Sequence, residues 1–488
     1  MRRRNLRSGM FQAAWIGVAT LVVALVVPSA SADVAVLTSL AVTPTSPSVP
    51  IGGTIQLTAT GTYSDGTTAD LTSVALWTSS ALAVSVSPTG LATAASAGSA
   101  TVQAQVDAIT ESTTVTVPAP TLTALAVTPT SPSVPIGGTI QLTATGTYSD
   151  GTTADLTSVA LWTSSVASTT VSNAAGSTGL ARAVNFGSAT VTATIGGLNA
   201  STVVTVTARV YTPGAITHVI WIMMENHSAS TVIGQPQAPY INALVKGAGL
   251  ATTYFGIAHP SLPNYLGAVS GQPLASLPLT DCTSCKQSVA SLFTQGETWK
   301  AYQESMPTPC KAFMSTDGLY VPRHNPGLYF TQISAASCAA SDVPYPVLAT
   351  DLAKNTLPAF SFVTPNLAHD MHNGTTTTQV AAGDAWLATS VPAILNSPGY
   401  LAGTTALFIT WDEGNGVGNI KGTDCTKAPT NVSCRVALVV ASQYTTPGTV
   451  ASATYTQYSL LRATEGILGL PLLGQAAVVA DLAPAFGL

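Results

Sequence analysis

Two apolar runs in the C-terminal half of the chain end on acidic residues. The segment "HVIWIMMENHS" puts Glu225 and Asn226 directly after one run, and "ALFITWDEGNG" puts Asp412 and Glu413 after another. A carboxylate leaving a buried strand is poorly solvated and needs a cation or hydrogen bonds, so acids at two strand ends suggest one shared metal. Taken singly, each pair has capping of the following turn as its alternative role. Between them lies "AHPSLPNYLGAVSG", in which Ser261 stands where a loop turns into an apolar-periodic helix. Its hydroxyl would sit beside the unpaired N–H groups of a helix N-terminus, a natural seat for phosphate. Asn264, one turn later, offers an amide donor to the same anion. A serine at that position is by itself only a helix cap; the chemistry rests on serine and acids occurring together.

The elements that must position these residues begin at Ile216. Residues 218–224, 359–363, 406–411 and 436–441 read as buried strands, while helices are expected to start at 261 and to run over 379–395 and 457–468. Strands alternating with helices imply an α/β domain, a mainly parallel sheet between helices, with ligands beyond the carboxyl ends of the strands. Upstream the texture differs. Residues 40–80 recur verbatim as 125–165, and an offset of 85 residues is a whole small domain rather than a solenoid unit. Each copy carries short alternating runs separated by turn signals such as Ser-Asp-Gly, which predicts two all-β sandwiches. Between Asp33 and Thr207 there is no Lys, His or Cys, so these modules are expected to act as a spacer or adhesive stalk, a cell-wall or carbohydrate partner being the functional alternative to a passive spacer. The expected divisions are 1–32, 33–119, 120–208 and 209–488.

Residues 1–32 open with Arg2, Arg3, Arg4 and Arg7, continue through an apolar stretch over 13–27 and close on "ASA". That is the pattern of a secretory signal with cleavage after Ala32, and the stretch falls short of the roughly 20 residues a spanning helix needs. No other segment is long enough to be a transmembrane anchor. Without those four arginines 12 basic residues face 21 acidic ones, which argues against nucleic acid as a partner, because that binding depends on Lys and Arg neutralising phosphates. All six cysteines lie between Cys282 and Cys434. An even count behind an export signal predicts three disulfides; of the 15 pairings open to six cysteines, proximity favours Cys282 with Cys285, Cys310 with Cys338 and Cys425 with Cys434.

Two resemblances sharpen this reading. The repeated segment, with Trp77 and Trp162 at the place of a core tryptophan, resembles the bacterial group 2 immunoglobulin-like family. The ordered blocks "MMENHS", "HPSLPNYLGAVSG", "YVPRHNPGLYF", "FSFVTPNLAHDMHNG", "AAGDAWL", "ITWDEG" and "YSLLRATEGILGLP" resemble the phosphoesterase family of the alkaline phosphatase superfamily, which holds phospholipases C, acid phosphatases and phosphatidylinositol 3-phosphatase-like proteins. That resemblance implies Glu225, Asn226, Asp412 and Glu413 as metal ligands and Ser261 as the nucleophile completing the shell. It further implies His324, Asp370 and His372 as proton donors or further ligands around the phosphate, with His259 and Asn264 beside the nucleophile. Gln457 stands where the family often has a histidine. A shell of hard oxygen donors favours Ca²⁺, Mg²⁺ or Mn²⁺ over Zn²⁺, which returns to contention if His372 coordinates. The expected activity is that of a secreted phosphomonoesterase of the acid phosphatase or phosphoinositide phosphatase kind. The alternatives are a phospholipase C-type diesterase and a surface adhesin with an inactive hydrolase scaffold.

Overall fold

A computed structural model describes residues 34–372, 376–415 and 420–488; the expected signal segment lies outside them. No helix among the described residues is long and apolar enough to cross a membrane. The chain divides into two compact units, Met1–Thr121 and Leu122–Leu488.

The first unit is a sandwich built from small β-formers. Strand Gly98–Val106 pairs antiparallel with Ile109–Val117 and with Leu76–Ser79, and its side chains alternate exposed and buried along its length. A period of two is what one solvated and one packed face requires. Its core gathers Val42, Leu57, Val102, Val115 and Trp77, and the Trp77 indole N–H donates to Thr72 O at 2.9 Å. The second copy repeats this: Leu161–Ser164, Gly187–Ile195 and Leu198–Thr207 form the corresponding sheet, and the Trp162 indole donates to Thr157 O at 3.1 Å.

That second sandwich belongs to the same compact unit as the C-terminal domain, and Arg209 joins them. Its Nε donates to Ile136 O of the sandwich at 3.0 Å, while its Nη2 and Nη1 donate to Leu401 O, at 3.1 Å, and to Ala402 O of the C-terminal domain. Two glycines make room for the guanidinium: a Cβ on Gly137 would lie 2.5 Å from Nη2, and one on Gly403 2.6 Å from Nη1. Tyr211 packs edge-on against Tyr444 beside it, ring centres 5.4 Å apart.

In the C-terminal domain the strands are β1 (His218–Met224), β2 (Gly249–Phe255), β3 (Trp299–Gln303), β4 (Asp342–Pro344), β5 (Phe360–Thr364), β6 (Thr405–Trp411), β7 (Arg435–Ala441), β8 (Val450–Ala451) and β9 (Tyr455–Thr456). They form one sheet in the order β4-β3-β5-β1-β6-β7-β2-β8, with β9 also beside β2. Only β7 runs against its neighbours β6 and β2; the other pairings are parallel. Among the helices are α1 (Pro239–Gly247), α2 (Ser261–Ser270), α3 (Val347–Lys354), α4 (Thr376–Leu395) and α5 (Gln457–Leu468). Every residue of β5 and β6 is buried, as are six of the seven in β1. This explains their continuous apolar sequences: a strand covered on both faces has no position left for a polar alternation. The three disulfides join the pairs that proximity favoured.

Candidate active site

β1 and β6 lie side by side and parallel, with Met224 opposite Trp411. The next residue of each, Glu225 and Asp412, therefore emerges at the same carboxyl edge of the sheet, and both side chains are fully buried. Asp412 N–H donates to Met224 O at 2.9 Å, and Glu225 N–H to Asp370 O at 2.7 Å, drawing in the loop after β5. Asn226 takes a left-handed conformation, φ 45°, which asparagine tolerates better than most residues. The turn sends its N–H to Asp412 Oδ1 and its Nδ2 to Glu225 Oε2, each at 3.0 Å.

Ser261 is the first residue of α2, and its hydroxyl donates to Glu225 Oε2 at 3.1 Å. Tyr265, one turn further along the same helix face, donates its hydroxyl to the other oxygen, Oε1, at 2.5 Å. The His324 ring stacks on Tyr265 with centres 5.3 Å apart. It stands between Glu225, 3.1 Å from Nε2, and Asp370, 3.6 Å from Nδ1. The first of these contacts is close but poorly aligned, leaving Nε2 without a hydrogen-bond partner. The His372 backbone N–H donates to Asp370 Oδ1 at 2.8 Å, and its half-buried side chain lines an open pocket of about 400 Å³ with Asn226, Ser261, Asp281, Gln379 and Glu413.

The fold brings these groups together but gives two of the predicted substrate-binding residues other work. Asn264 is fully buried: its Oδ1 accepts from the N–H groups of Ile257 and Ala258 at 2.7 and 2.9 Å, and its Nδ2 donates to Ala258 O and Pro260 O at 2.7 and 3.2 Å. Two donors and two lone pairs are thereby filled, so Asn264 shapes the loop before Ser261 instead of offering a donor to an anion. His259 is likewise buried. Its Nδ1 meets Glu413 Oε2 and its Nε2 lies 3.1 Å from Ser433 Oγ, so one nitrogen engages Glu413 while the other anchors the ring. Gln457, at the start of α5, donates to Trp411 O at 3.1 Å and Asp412 O at 2.7 Å, fixing the end of β6 from behind. The rings of His218 and His227 are tied to neighbouring groups: one reaches Pro358 O at 3.0 Å, the other contacts Thr231, Gln379 and Asn415. Sequence reasoning did not single out Tyr265; its signal was the four-residue spacing from Ser261 on one helix face.

The electrostatics are those of crowded acids. Burial and then the charges of Asp412 and Asp370 push the Glu225 carboxyl well above the carboxylate range. Burial and Glu413 do the same to Asp412. Burial first, with Asp412 contributing, raises Asp370 to about 8, and burial with Asp281 raises Glu413 to about 8. Burial holds His324 well below the ordinary imidazole value, with Arg323 and His372 acting in the same direction. Among the described residues, three His, Cys, Asp or Glu ligand atoms come within 4.8 Å at His259/Cys425/Cys434 and at Cys310/Cys338/Asp342. There the cysteines are spent in disulfides. Buried Oδ2 atoms of Asp412 and Asp370 have no hydrogen-bond partner, a costly condition that a cation would relieve. Oxygen donors with unused lone pairs therefore fit a hard divalent ion.

Residues 235–471 match the model of the Phosphoesterase family, and residues 36–117 and 121–206 each match the bacterial Ig-like domain (group 2). Glu225 and Asn226 lie just ahead of the first match. The chain is 29% identical over 263 residues to the phosphatidylinositol-3-phosphatase of Mycobacterium tuberculosis, covering 53% of this chain and 79% of that one. It is 28% identical over 236 residues to an acid phosphatase of Aspergillus fumigatus, covering 46% of this chain and 49% of that one. Ice-binding protein 1 of Shewanella frigidimarina is 46% identical over 172 residues, covering 35% of this chain and 19% of that protein. The chain thus spans only about half the length of the fungal relative and a fifth of the ice-binding one. With two group 2 bacterial Ig-like domains ahead of it, the C-terminal domain belongs to the Phosphoesterase family, hydrolases that act on phosphate esters.

Proposed function

We propose that the chain is an exported, divalent-metal-dependent phosphomonoesterase working through a phosphoseryl intermediate on Ser261. The observation that carries this is the contact of Ser261 Oγ with Glu225 Oε2 at 3.1 Å, on the wall of the pocket and beside the fully buried Asp412. Glu225, Asn226, Asp412 and Glu413, with Ser261, would hold Ca²⁺, Mg²⁺ or Mn²⁺, or Zn²⁺ if His372 joins them. Such an ion supplies charge neutralisation for the phosphoryl group and a lower pKa for the hydroxyl.

The rest of the chemistry falls to the chain. Glu225 accepts the Ser261 hydrogen bond and orients Oγ toward the pocket, while Tyr265, with the His324 ring stacked on it, holds Glu225 from behind. The Leu262 N–H at the start of α2 donates to a phosphoryl oxygen. The Ser261 hydroxyl gives its proton to solvent in the open pocket, the Oγ–P bond forms in line as the bond from phosphorus to the alcohol oxygen breaks, and the leaving alkoxide takes a proton. Of the two candidate histidines His372 is the proton donor, because it lines the pocket while His324 is buried behind Glu225. Water then attacks the phosphoserine and releases phosphate. Asp370 positions both histidines, and His259 and Asn264 position Glu413 and the nucleophile loop. Export is supported by the N-terminal arginine and apolar pattern and by three disulfides among the described residues. The sandwiches serve as a stalk, with a cell-wall or carbohydrate surface as their partner.

The test is an assay of the full chain on p-nitrophenyl phosphate, phosphatidylinositol 3-phosphate and a phosphatidylcholine analogue across a metal series. Monoester hydrolysis that needs a divalent ion supports the reading. Faster cleavage of the diester moves the chain to the phospholipase C type, and activity indifferent to chelator removes the metal.

A further inference from the structure

The pocket contains a carboxylate that the chemistry above does not use. Asp281 lines the same pocket as Ser261, on the loop leading into the Cys282–Cys285 disulfide. Its Oδ1 accepts the Leu262 N–H at 3.2 Å. That N–H is the helix-terminal amide next to Ser261, which has no acceptor within the helix and is the donor a phosphoryl oxygen would take. Its Oδ2 lies 3.9 Å from Arg323 Nε, so one acidic side chain engages both the amide and the nearest guanidinium. Asp281 is 36% exposed at the side chain, so it is in reach of solvent and not locked into a core.

We propose that Asp281 is a resident anion in the phosphate seat that incoming phosphate must displace, and that it thereby sets the charge of ligand the site accepts. This deepens the reading of Ser261 as nucleophile and rests on it. Displacement exchanges one anion for another at the Leu262 N–H, so the seat is never left without a charge partner. The displaced carboxylate stays close to the pocket and still repels the phosphoryl group. That repulsion weighs more on a dianion, such as a monoester or inorganic phosphate, than on a monoanionic diester. Asp281 thus lowers affinity for monoesters and for the phosphate product, which favours product release.

The substitution that isolates charge is Asp281→Asn, which keeps an oxygen to accept the Leu262 N–H; Asp281→Ala removes charge and acceptor together. Binding of inorganic phosphate and of dimethyl phosphate to the full chain, with the divalent ion present, is read by calorimetry. Both variants should tighten inorganic phosphate about three- to tenfold, an interaction of partly solvated charges, with a smaller change for dimethyl phosphate. Asp281→Ala should in addition lower the melting temperature. If Asp281 is only a helix cap, Asp281→Asn leaves phosphate affinity within twofold of wild type and the proposal falls. It falls as well if phosphate binds more weakly to Asp281→Asn, or binds to none of the proteins. Because binding is read without turnover, the same titration in a Ser261→Ala background still reports on Asp281 if Ser261 proves not to be the nucleophile.

Discussion

In the two sandwich modules Asp65, Asp70, Asp150 and Asp155 lie at the surface, and each is bonded to a threonine two residues on, through its N–H at 2.8–3.0 Å. Bonds from those threonine hydroxyls and N–H groups hold all four carboxyls below the ordinary range. In the C-terminal sheet Glu225, Asp370 and Asp412 are fully buried, face one another, and are pushed the opposite way. The stalk acids are self-contained turn devices whose ionised form is part of the fold. Two of the sheet acids do the fold part of that service, Asp370 Oδ1 accepting the His372 N–H and Asp412 Oδ1 the Asn226 N–H, but segments of distant sequence carry all three together against their own repulsion, and the second oxygen of Asp370 and of Asp412 has no hydrogen-bond partner. The difference marks where the protein holds charge for a ligand.

The largest effect should come from removing a sheet acid. Glu225→Gln and Asp412→Asn should each lower kcat/KM on a phosphate monoester by at least about 10³, or about 4 kcal/mol of barrier. The melting temperature of the chelated protein should hold or rise, since a repelled buried charge is lost. Asp70→Ala and Asp155→Ala should do the reverse, slightly lowering the melting temperature and leaving kcat/KM unchanged. A stalk substitution that silences the enzyme would break the comparison.

A second effect concerns pH. A carboxyl whose pKa is higher in the folded than in the unfolded state makes folding take up a proton. Its contribution to stability is complete below the unfolded pKa, near 4, and is lost as pH rises through the folded value, about 8 for Asp370 and Glu413. Thermal scans of the chelated protein should therefore show the melting temperature falling between pH 5 and 9. A saturating divalent ion should raise it, most at the alkaline end. A chelated protein that gains stability over that interval would show the acids already paired.

A smaller effect separates the two copies of the repeat. Around Gly52 a Cβ would meet nothing within 4 Å, whereas the equivalent Gly137 faces Arg209. Arg209→Ala removes donors to three carbonyls and should loosen the contact by about 1–3 kcal/mol. Hydrogen exchange should rise around residues 135–138 and 400–403, with no such change around 50–53. Because the contact involves no pocket residue, kcat/KM should stay within about tenfold of wild type; a larger loss would mean that the second module shapes the site.

The acids and Ser261 were legible in the sequence for a physical reason. Strands buried on both faces must be continuous apolar runs, and an acid at the end of such a run has few other uses. Element limits were readable to within a few residues: α4 begins at Thr376 where 379 was expected, and β5 spans Phe360–Thr364. Partnerships across the chain were not legible. His259 meets Glu413 across 154 residues and Gln457 reaches Asp412 O across 45; neither spacing leaves a periodic trace. Asn264 stood at the right turn to bind an anion, and only the course of the 257–260 loop shows that its amide is already occupied. Arg209 resembled linker, because the carbonyls that hold it come from two stretches of backbone, at Ile136 and at Leu401 and Ala402, far from it in sequence.

The central claim is that Ser261 carries the phosphoryl group while the buried acids hold the cation. It is tested most directly by quenching the full chain in acid during turnover of a phosphate monoester and mapping the modified residue by mass spectrometry, with Ser261→Ala in parallel. The account predicts one phosphoserine, at 261, formed only when a divalent ion is present, and no turnover by the folded Ser261→Ala protein. Phosphate on another residue, or a folded Ser261→Ala protein hydrolysing within about tenfold of wild type, a barrier change under about 1.4 kcal/mol, would contradict it.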